Sequence, residues 1–211
     1  MRIAVTRARE DARELAARLA DFGHEVVVAP LVEIEPIGPD EVDVSGYDWV
    51  IVTSRNGARQ LARRMRGSPA RIAAIGAGTA EELPRPPDLV PAVSTQDGLL
   101  AELARPAGRV LFAGAEGARR LLVDELHADF VPLYRTKELH PADFPQVDLV
   151  VLASASAARA YAALDASAPA VCIGPRTTTE AARLGIDVRA EAETHDVNGV
   201  VEAVRRIVPA P

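Results

Sequence analysis

Short apolar runs alternate with amphipathic stretches along the whole chain. Arg2-Ile-Ala-Val-Thr6 reads as a short buried strand. Ala12, Leu15, Ala16, Leu19 and Phe22 then share one stripe at helical spacing, closed by Gly23. Residues 25–29 predict a second strand and 31–35 an extended segment, while the Pro-, Gly- and Asp-rich 36–45 reads as linker or turn. A new cycle starts with a strand over 49–53, a turn at 54–57 with capping residues, and a helix over 58–65. Residues 71–75 predict a strand, followed by Gly76-Ala-Gly-Thr79 and a short helix broken at Pro84. Extended structure is expected at 88–93, a helix at 97–103, a strand from Arg109 to Phe112 and a helix over 117–126. The remainder predicts an extended 129–134, a connector at 140–145 and a strand over 148–153. A helix over 156–164, a strand over 170–173, a helix opening at Gly174-Pro175 and a last helix over 198–208 follow. Strands alternating with helices predict α/β architecture with parallel sheets.

The pattern repeats. Asp48-Trp-Val-Ile-Val-Thr-Ser54 resembles Asp148-Leu-Val-Val-Leu-Ala-Ser154 at an offset of 100. Ala74-Ile-Gly-Ala-Gly-Thr79 resembles Cys172-Ile-Gly-Pro-Arg-Thr177 at 98, and Thr95-Gln-Asp-Gly-Leu99 resembles His195-Asp-Val-Asn-Gly-Val200 at 101 when the glycines are matched. Arg2-Ile-Ala-Val resembles Arg109-Val-Leu-Phe at 107. Any βα repeat yields similar apolar runs, but not the paired Ile-Gly-x-x-Thr. Duplication implies two similar lobes, and a cleft between lobes is where ligands are expected to sit. Contiguous halves and exchanged halves give the same offsets, so the repeat leaves the lobe boundaries open.

Composition narrows the function classes. The chain has 211 residues, 48% hydrophobic and 26% charged, with a net charge of −6. That balance suits a globular protein and argues against a nucleic-acid partner, which normally needs a basic face. No run is long and apolar enough for a membrane span. Met1-Arg2 leads directly into Ile3-Ala-Val5, so no leader is expected and a cytoplasmic location is. A single cysteine, Cys172, fits a reducing compartment and reads as inert core. Lysine occurs once, at Lys137, against 23 arginines. Arginine suits bidentate capture of carboxylates.

Familiar catalytic signatures are missing: no GxGxxG, no phosphate loop, no GxSxG, and four scattered histidines (24, 127, 140, 195) without ligand spacing. Candidate chemistry lies instead in the hydroxyls at helix starts: Thr53-Ser54, Thr79, Ser154 to Ser156 and Thr177. The free amides there bind carboxylate or phosphate, although the same residues serve equally as ordinary caps. Arg7, Arg55, Arg119 and Arg176 stand at the same loop edges. Tyr134 reads either as a half-buried connector aromatic or as a phenol able to donate a proton.

Taken together these residues resemble the uroporphyrinogen-III synthase family. The resemblance is carried by Ile3-Ala-Val-Thr-Arg7, Val52-Thr-Ser-Arg-Asn-Gly57, Ala74-Ile-Gly-Ala-Gly-Thr79 and Leu133-Tyr-Arg-Thr136. Ala153-Ser-Ala-Ser156, Ile173-Gly-Pro-Arg-Thr177 and Thr194 to Gly199 complete it. It implies two flavodoxin-like α/β lobes with parallel sheets, joined by a two-stranded connector, the first lobe discontinuous. One lobe would hold 1–35 and 141–211, the other 42–132, with connectors at 36–41 and 133–140. The Pro-containing segments fit that exchange.

The resemblance further implies a small-molecule substrate, hydroxymethylbilane, and a product, uroporphyrinogen III. The product forms by loss of water, inversion of the last pyrrole ring and ring closure, with no cofactor and no metal. It assigns possible acid catalysis to Tyr134. Substrate binding falls to Arg7, Ser54, Arg55, Asn56, Thr79, Gly114, Ser154, Ser156, Arg176 and Thr177. A monomer is expected, since charge and size give no oligomer signal. The rival reading is a non-enzymatic two-lobed protein that binds a tetrapyrrole or another anion. Gly76-Ala-Gly78 lacks the proline found in many relatives, although Gly174-Pro175 has it.

Overall fold

The computed structural model describes residues 1–207. Val208, the expected end of the last helix, and the final residues of the expected first lobe lie outside the described residues. In chain order, β1 (Arg2–Val5) leads into α1 (Arg9–Asp21), which buries Ala12, Leu15 and Leu19 and gives way to Gly23 at φ +80°. β2 (Glu25–Val28), β3 (Val32–Pro36) and β4 (Val42–Asp43) follow. Next come β5 (Trp49–Val52), α2 (Arg55–Arg64), β6 (Met65–Arg66), β7 (Arg71–Ala74) and the single turn α3 (Ala77–Ala80). α4 (Gln96–Glu102), β8 (Val110–Ala115), α5 (Leu121–Leu126) and β9 (Asp129–Glu138) complete the middle of the chain. β10 (Leu149–Leu152), α6 (Ala155–Ala162), β11 (Ala170–Cys172), α7 (Pro175–Arg183), β12 (Val188–Glu191) and α8 (Val197–Ile207) end it.

The chain forms two compact units, Met1–Glu33 with the residues from Thr136 onward, and Ile34–Arg135. Both crossings fall inside strands, β3 and β9, rather than in loops. These two strands are neighbours in one sheet. Flanking hydrogen bonds, Ile37 N–H to Leu133 O and Leu139 N–H to Leu31 O, make them antiparallel.

In the first unit the sheet runs β12-β11-β10-β1-β2, every pair parallel. Counted within the unit, this is the 2-1-3-4-5 order of flavodoxin-like folds. Each strand alternates between two cores. Ile3, Val5, Leu149 and Val151 face α1 and α8, while Ala4, Val150, Leu152 and Cys172 face α6 and α7. Burial on both faces explains the continuous apolar runs.

In the second unit β9-β8-β5-β7 are parallel, and Leu89 makes one parallel bridge with Ala73 in the position β12 occupies in the first unit. Val50, Val52, Leu111 and Ala113 face α2, whereas Trp49, Ile51, Val110 and Phe112 face α4 and α5. The expected extended segment 88–93 thus shrinks to one bridge, because Pro86, Pro87 and Pro91 remove ladder donors. The expected linker 36–45 contains β4, which pairs in parallel with β6. Met65, expected at a helix end, belongs to that short ribbon. The helix expected from Gly117 starts only at Leu121.

Candidate active site

Parallel strands bring the turns that follow them to one edge of the sheet. In the second unit this edge holds Ser54 after β5, Gly76 to Thr79 after β7, Gly114 within β8 and Tyr134 within β9. Ser54 caps α2, its Oγ accepting the Gly57 N–H at 3.0 Å. The same Oγ lies 3.0 Å from the phenolic oxygen of Tyr134, although the residues are 80 apart in sequence. Tyr134 is buried, with its ring packed in the core on the α2 side.

A register shift places the phenol there. Gly114 pairs with Pro132 and Ala115 with Tyr134, so Leu133 is an extra residue. Such a bulge re-aims the side chain that follows it. Leu133 and Tyr134, consecutive in sequence, accordingly enter the same core cluster instead of alternating. The Leu133 carbonyl accepts from Arg64 Nη2 at 2.7 Å, and Arg64 Nη1 donates to Ile37 O at 2.6 Å. Burial holds the Arg64 guanidinium below its ordinary range. α2 therefore fixes the Tyr134 segment from both ends, by its cap and by its last residue. Sequence reading misses Arg64, since an arginine at a helix end normally signals only the helix dipole.

Arg55, expected to bind substrate, pairs with Glu81 at 3.2 Å and Glu82 at 3.6 Å. Its guanidinium stem packs beside Gly78, where a Cβ would lie 3.5 Å from Cδ. Asn56 Oδ1 accepts from Arg59 Nη1 at 3.1 Å. Arg59 also grips Glu82 through two bonds of 2.8 and 3.2 Å, which hold that carboxyl below the usual carboxylate range. Thr79 is buried, and its N–H donates to Gly76 O at 3.1 Å. Gly114 sits close against the Phe112 ring, where a Cβ would lie 3.3 Å from Cε2, with Thr53 Oγ1 next nearest at 4.0 Å. Arg119 is drawn to Asp97 at 2.8 Å.

In the first unit the corresponding edge carries Arg7 after β1, Ser154 and Ser156 after β10, and Arg176 and Thr177 after β11. Ser154 caps α6 by accepting the Ala157 N–H at 3.1 Å. Ser156 accepts from Arg159 Nη2 at 3.0 Å. Ala155, Arg159, Pro175, Arg176, Thr179 and Glu180 line an open recess of about 470 Å³. Arg159 pairs there with Glu138 at 2.7 Å and Glu180 at 3.4 Å, whereas Arg176 is exposed. Thr177 is buried. The sequence reading does not single out Arg159, which stands mid-helix without a motif.

The repeat extends to individual contacts. A Cβ on Gly76 would lie 2.9 Å from Ser94 Oγ, and one on Gly174 would lie 2.7 Å from His195 Cδ2. Ser94 and His195 are themselves matched positions, each just before a cap, Thr95 or Asp196. The matching fails at the phenol: Pro132-Leu133-Tyr134 corresponds to Pro30-Leu31-Val32. Among the described residues no group of His, Cys, Asp and Glu is arranged to hold a metal ion, and no helix is long and apolar enough to cross a membrane.

A family model described as "Uroporphyrinogen-III synthase HemD" matches residues 13–202. The "Putative uroporphyrinogen-III synthase" of Methanocaldococcus jannaschii is 28% identical over 65% of this chain and 63% of its own length. The "Porphyrin biosynthesis protein HemD" of Ruminiclostridium josui is 27% identical over 92% of this chain. The chain spans about half of that longer protein, 46%. A protein of Archaeoglobus fulgidus with the same name as the first is 31% identical, covering 97% of this chain and 98% of its own. A crystal structure of a mutant uroporphyrinogen III synthase from Thermus thermophilus shares the fold. It gives a TM-score of 0.58 at 18% identity, over 98% of both chains.

Proposed function

The chain belongs to the uroporphyrinogen-III synthase family, and on that premise we propose that it cyclises hydroxymethylbilane to uroporphyrinogen III. The observation that carries this reading is the family match over residues 13–202. The strand-end groups supply chemistry that suits it. The substrate is a linear tetrapyrrole with many carboxylates. Helix-start amides at α2, α6 and α7, with Arg7, Arg55 and Arg176, are the partners such a polyanion requires.

The chemical task is selective positioning. Left alone, the bilane closes head to tail into the symmetric isomer. The enzyme must favour attack at the substituted carbon of the last ring, through a spiro intermediate that inverts this ring. Holding both ends in reactive geometry contributes several kcal/mol, on the order of 7 or more in well-oriented systems. The amides of Arg55 and Asn56, the strand end at Gly114, and Ser154, Ser156, Thr79 and Thr177 hold the acetate and propionate arms. Tyr134 protonates the departing hydroxyl group, so that water leaves. The proton released when the closed ring regains aromaticity returns to the phenolate. The overall change is bilane to macrocycle plus water, a hydro-lyase reaction that runs on the chain's own groups without a cofactor. We place the protein in the cytoplasm as a monomer, with no membrane or nucleic-acid partner.

Purified protein given freshly made hydroxymethylbilane is expected to yield mainly the type III isomer. Type I product alone, at the rate of a protein-free blank, overturns the reading. The family match does not favour the rival, binding without turnover.

A further inference from the structure

We propose that Ser54 is a positioning residue that acts through Tyr134, giving its hydroxyl hydrogen to the phenolic oxygen while the Gly57 amide occupies its own oxygen. This rests on the reading of the chain as a uroporphyrinogen-III synthase, and assigns Ser54 a part other than contact with the substrate.

A serine hydroxyl has one hydrogen and two lone pairs. One lone pair of Ser54 takes the Gly57 N–H at 3.0 Å, as the cap of α2. The remaining capacity faces Tyr134 at 3.0 Å. Accepting a bond from a helix-start amide polarises the serine O–H and strengthens it as a donor. The phenolic oxygen then receives a hydrogen from Ser54, and the phenol gives its own proton to the departing hydroxyl group. When that proton leaves, the bond from Ser54 becomes charge-assisted and strengthens, which is where a catalytic contribution has to appear.

Two further observations support a built arrangement. The bulge at Leu133 and the Arg64 clamp turn Tyr134 onto the α2 side, where Ser54 is the cap. The matched serine in the first unit, Ser154, makes the same cap with Ala157, but Val32 stands where the phenol would be. Capping alone therefore does not need the tyrosine, and the pairing is a feature added to one copy of the repeat.

The test is a double-mutant cycle with hydroxymethylbilane as substrate, reading kcat, KM and the ratio of type III to type I isomer. Ser54→Ala is expected to lower kcat by about five- to ten-fold with little change in KM. Ser54→Gly, a replacement that caps a helix almost as well, lowers it equally and guards against misfolding of the alanine variant. Ser54→Thr restores most of the rate. In a Tyr134→Phe background, removing the Ser54 hydroxyl costs nothing more. Thr95→Ala removes the comparable cap on α4, where Thr95 accepts the Gly98 N–H, and lowers Tm without lowering kcat. The proposal is overturned if the Ser54 and Tyr134 losses multiply, if Ser54→Ala acts on KM alone, or if Thr95→Ala slows turnover as much. A wild-type protein without turnover overturns the family activity itself. Turnover by the wild type with multiplying losses overturns only the role of Ser54.

Discussion

Gly199 passes so close beneath Thr194 that a Cβ on it would lie 2.0 Å from the Thr194 carbonyl oxygen. Its match in the second unit, Gly98, stands in the same relation to Val93 O, at 2.1 Å. In each unit the glycine is the third residue after a capping side chain, Asp196 or Thr95, and its N–H reaches that cap. The loop folds back over the first turn of α8 or α4, and only a residue without a side chain lets it.

Gly199→Ala and Gly98→Ala are therefore expected to destabilise the protein by about 1–3 kcal/mol or more, because a backbone carbonyl cannot swing aside. Thermal unfolding should show a drop in Tm of several degrees. Gly117→Ala, where nothing lies within 4 Å, should stay within about 0.5 kcal/mol of the parent.

Tyr134→Phe keeps the ring and its packing but removes the hydroxyl. The expected result is a fall in kcat of about ten-fold or more, with a Tm near the parent value, measured by initial rates of isomer formation. An unchanged rate takes the phenol out of the mechanism.

Thr79 and Thr177 occupy matched positions at the starts of α3 and α7, and both are buried. Replacing both with valine, which has the same shape, should raise KM more than it lowers kcat if the pair only holds the substrate's arms. Steady-state kinetics on the double variant decide this.

Burial pushes the Cys172 thiol up to about 11 from an ordinary 9. The folded protein thus keeps its proton at a pH where the unfolded chain loses it. The stability this provides is complete below about pH 9 and declines as pH rises from 9 to 11, by about 2–3 kcal/mol in all. Denaturant titrations of the parent and Cys172→Ala across that range should converge by this amount. The native thiol should also resist thiol reagents at pH 8 and react once the chain is unfolded.

Much of this was legible in the chain. Ser54 and Ser154 are caps three residues before Gly57 and Ala157, and the Ile-Gly-x-x-Thr pairs open α3 and α7. Local chemistry of that kind is written in adjacent residues. What escaped lies beyond a local window. β12 has only two apolar residues, Val188 and Ala190, which an irregularity in its pairing turns to opposite cores, and it is interrupted by Arg189 and Glu191, as an edge strand can be. β4 and β6 are two-residue strands with no periodicity to read. The bond from Ser54 to Tyr134 depends on the register of β8 against β9 and on one extra residue at Leu133. Neither partner's own neighbourhood encodes it.

The crossing of the chain at β3 and β9 also sets an order of assembly on the ribosome. The unit of residues 34–135 has all its strands once β9 has emerged. The sheet of the other unit still lacks β10, β11 and β12 at that moment, and β1 presents an open edge where β10 will pair. During synthesis the inner unit can therefore mature while the first-made strands wait for the last-made ones, and a nascent chain released early leaves an unpaired ribbon exposed.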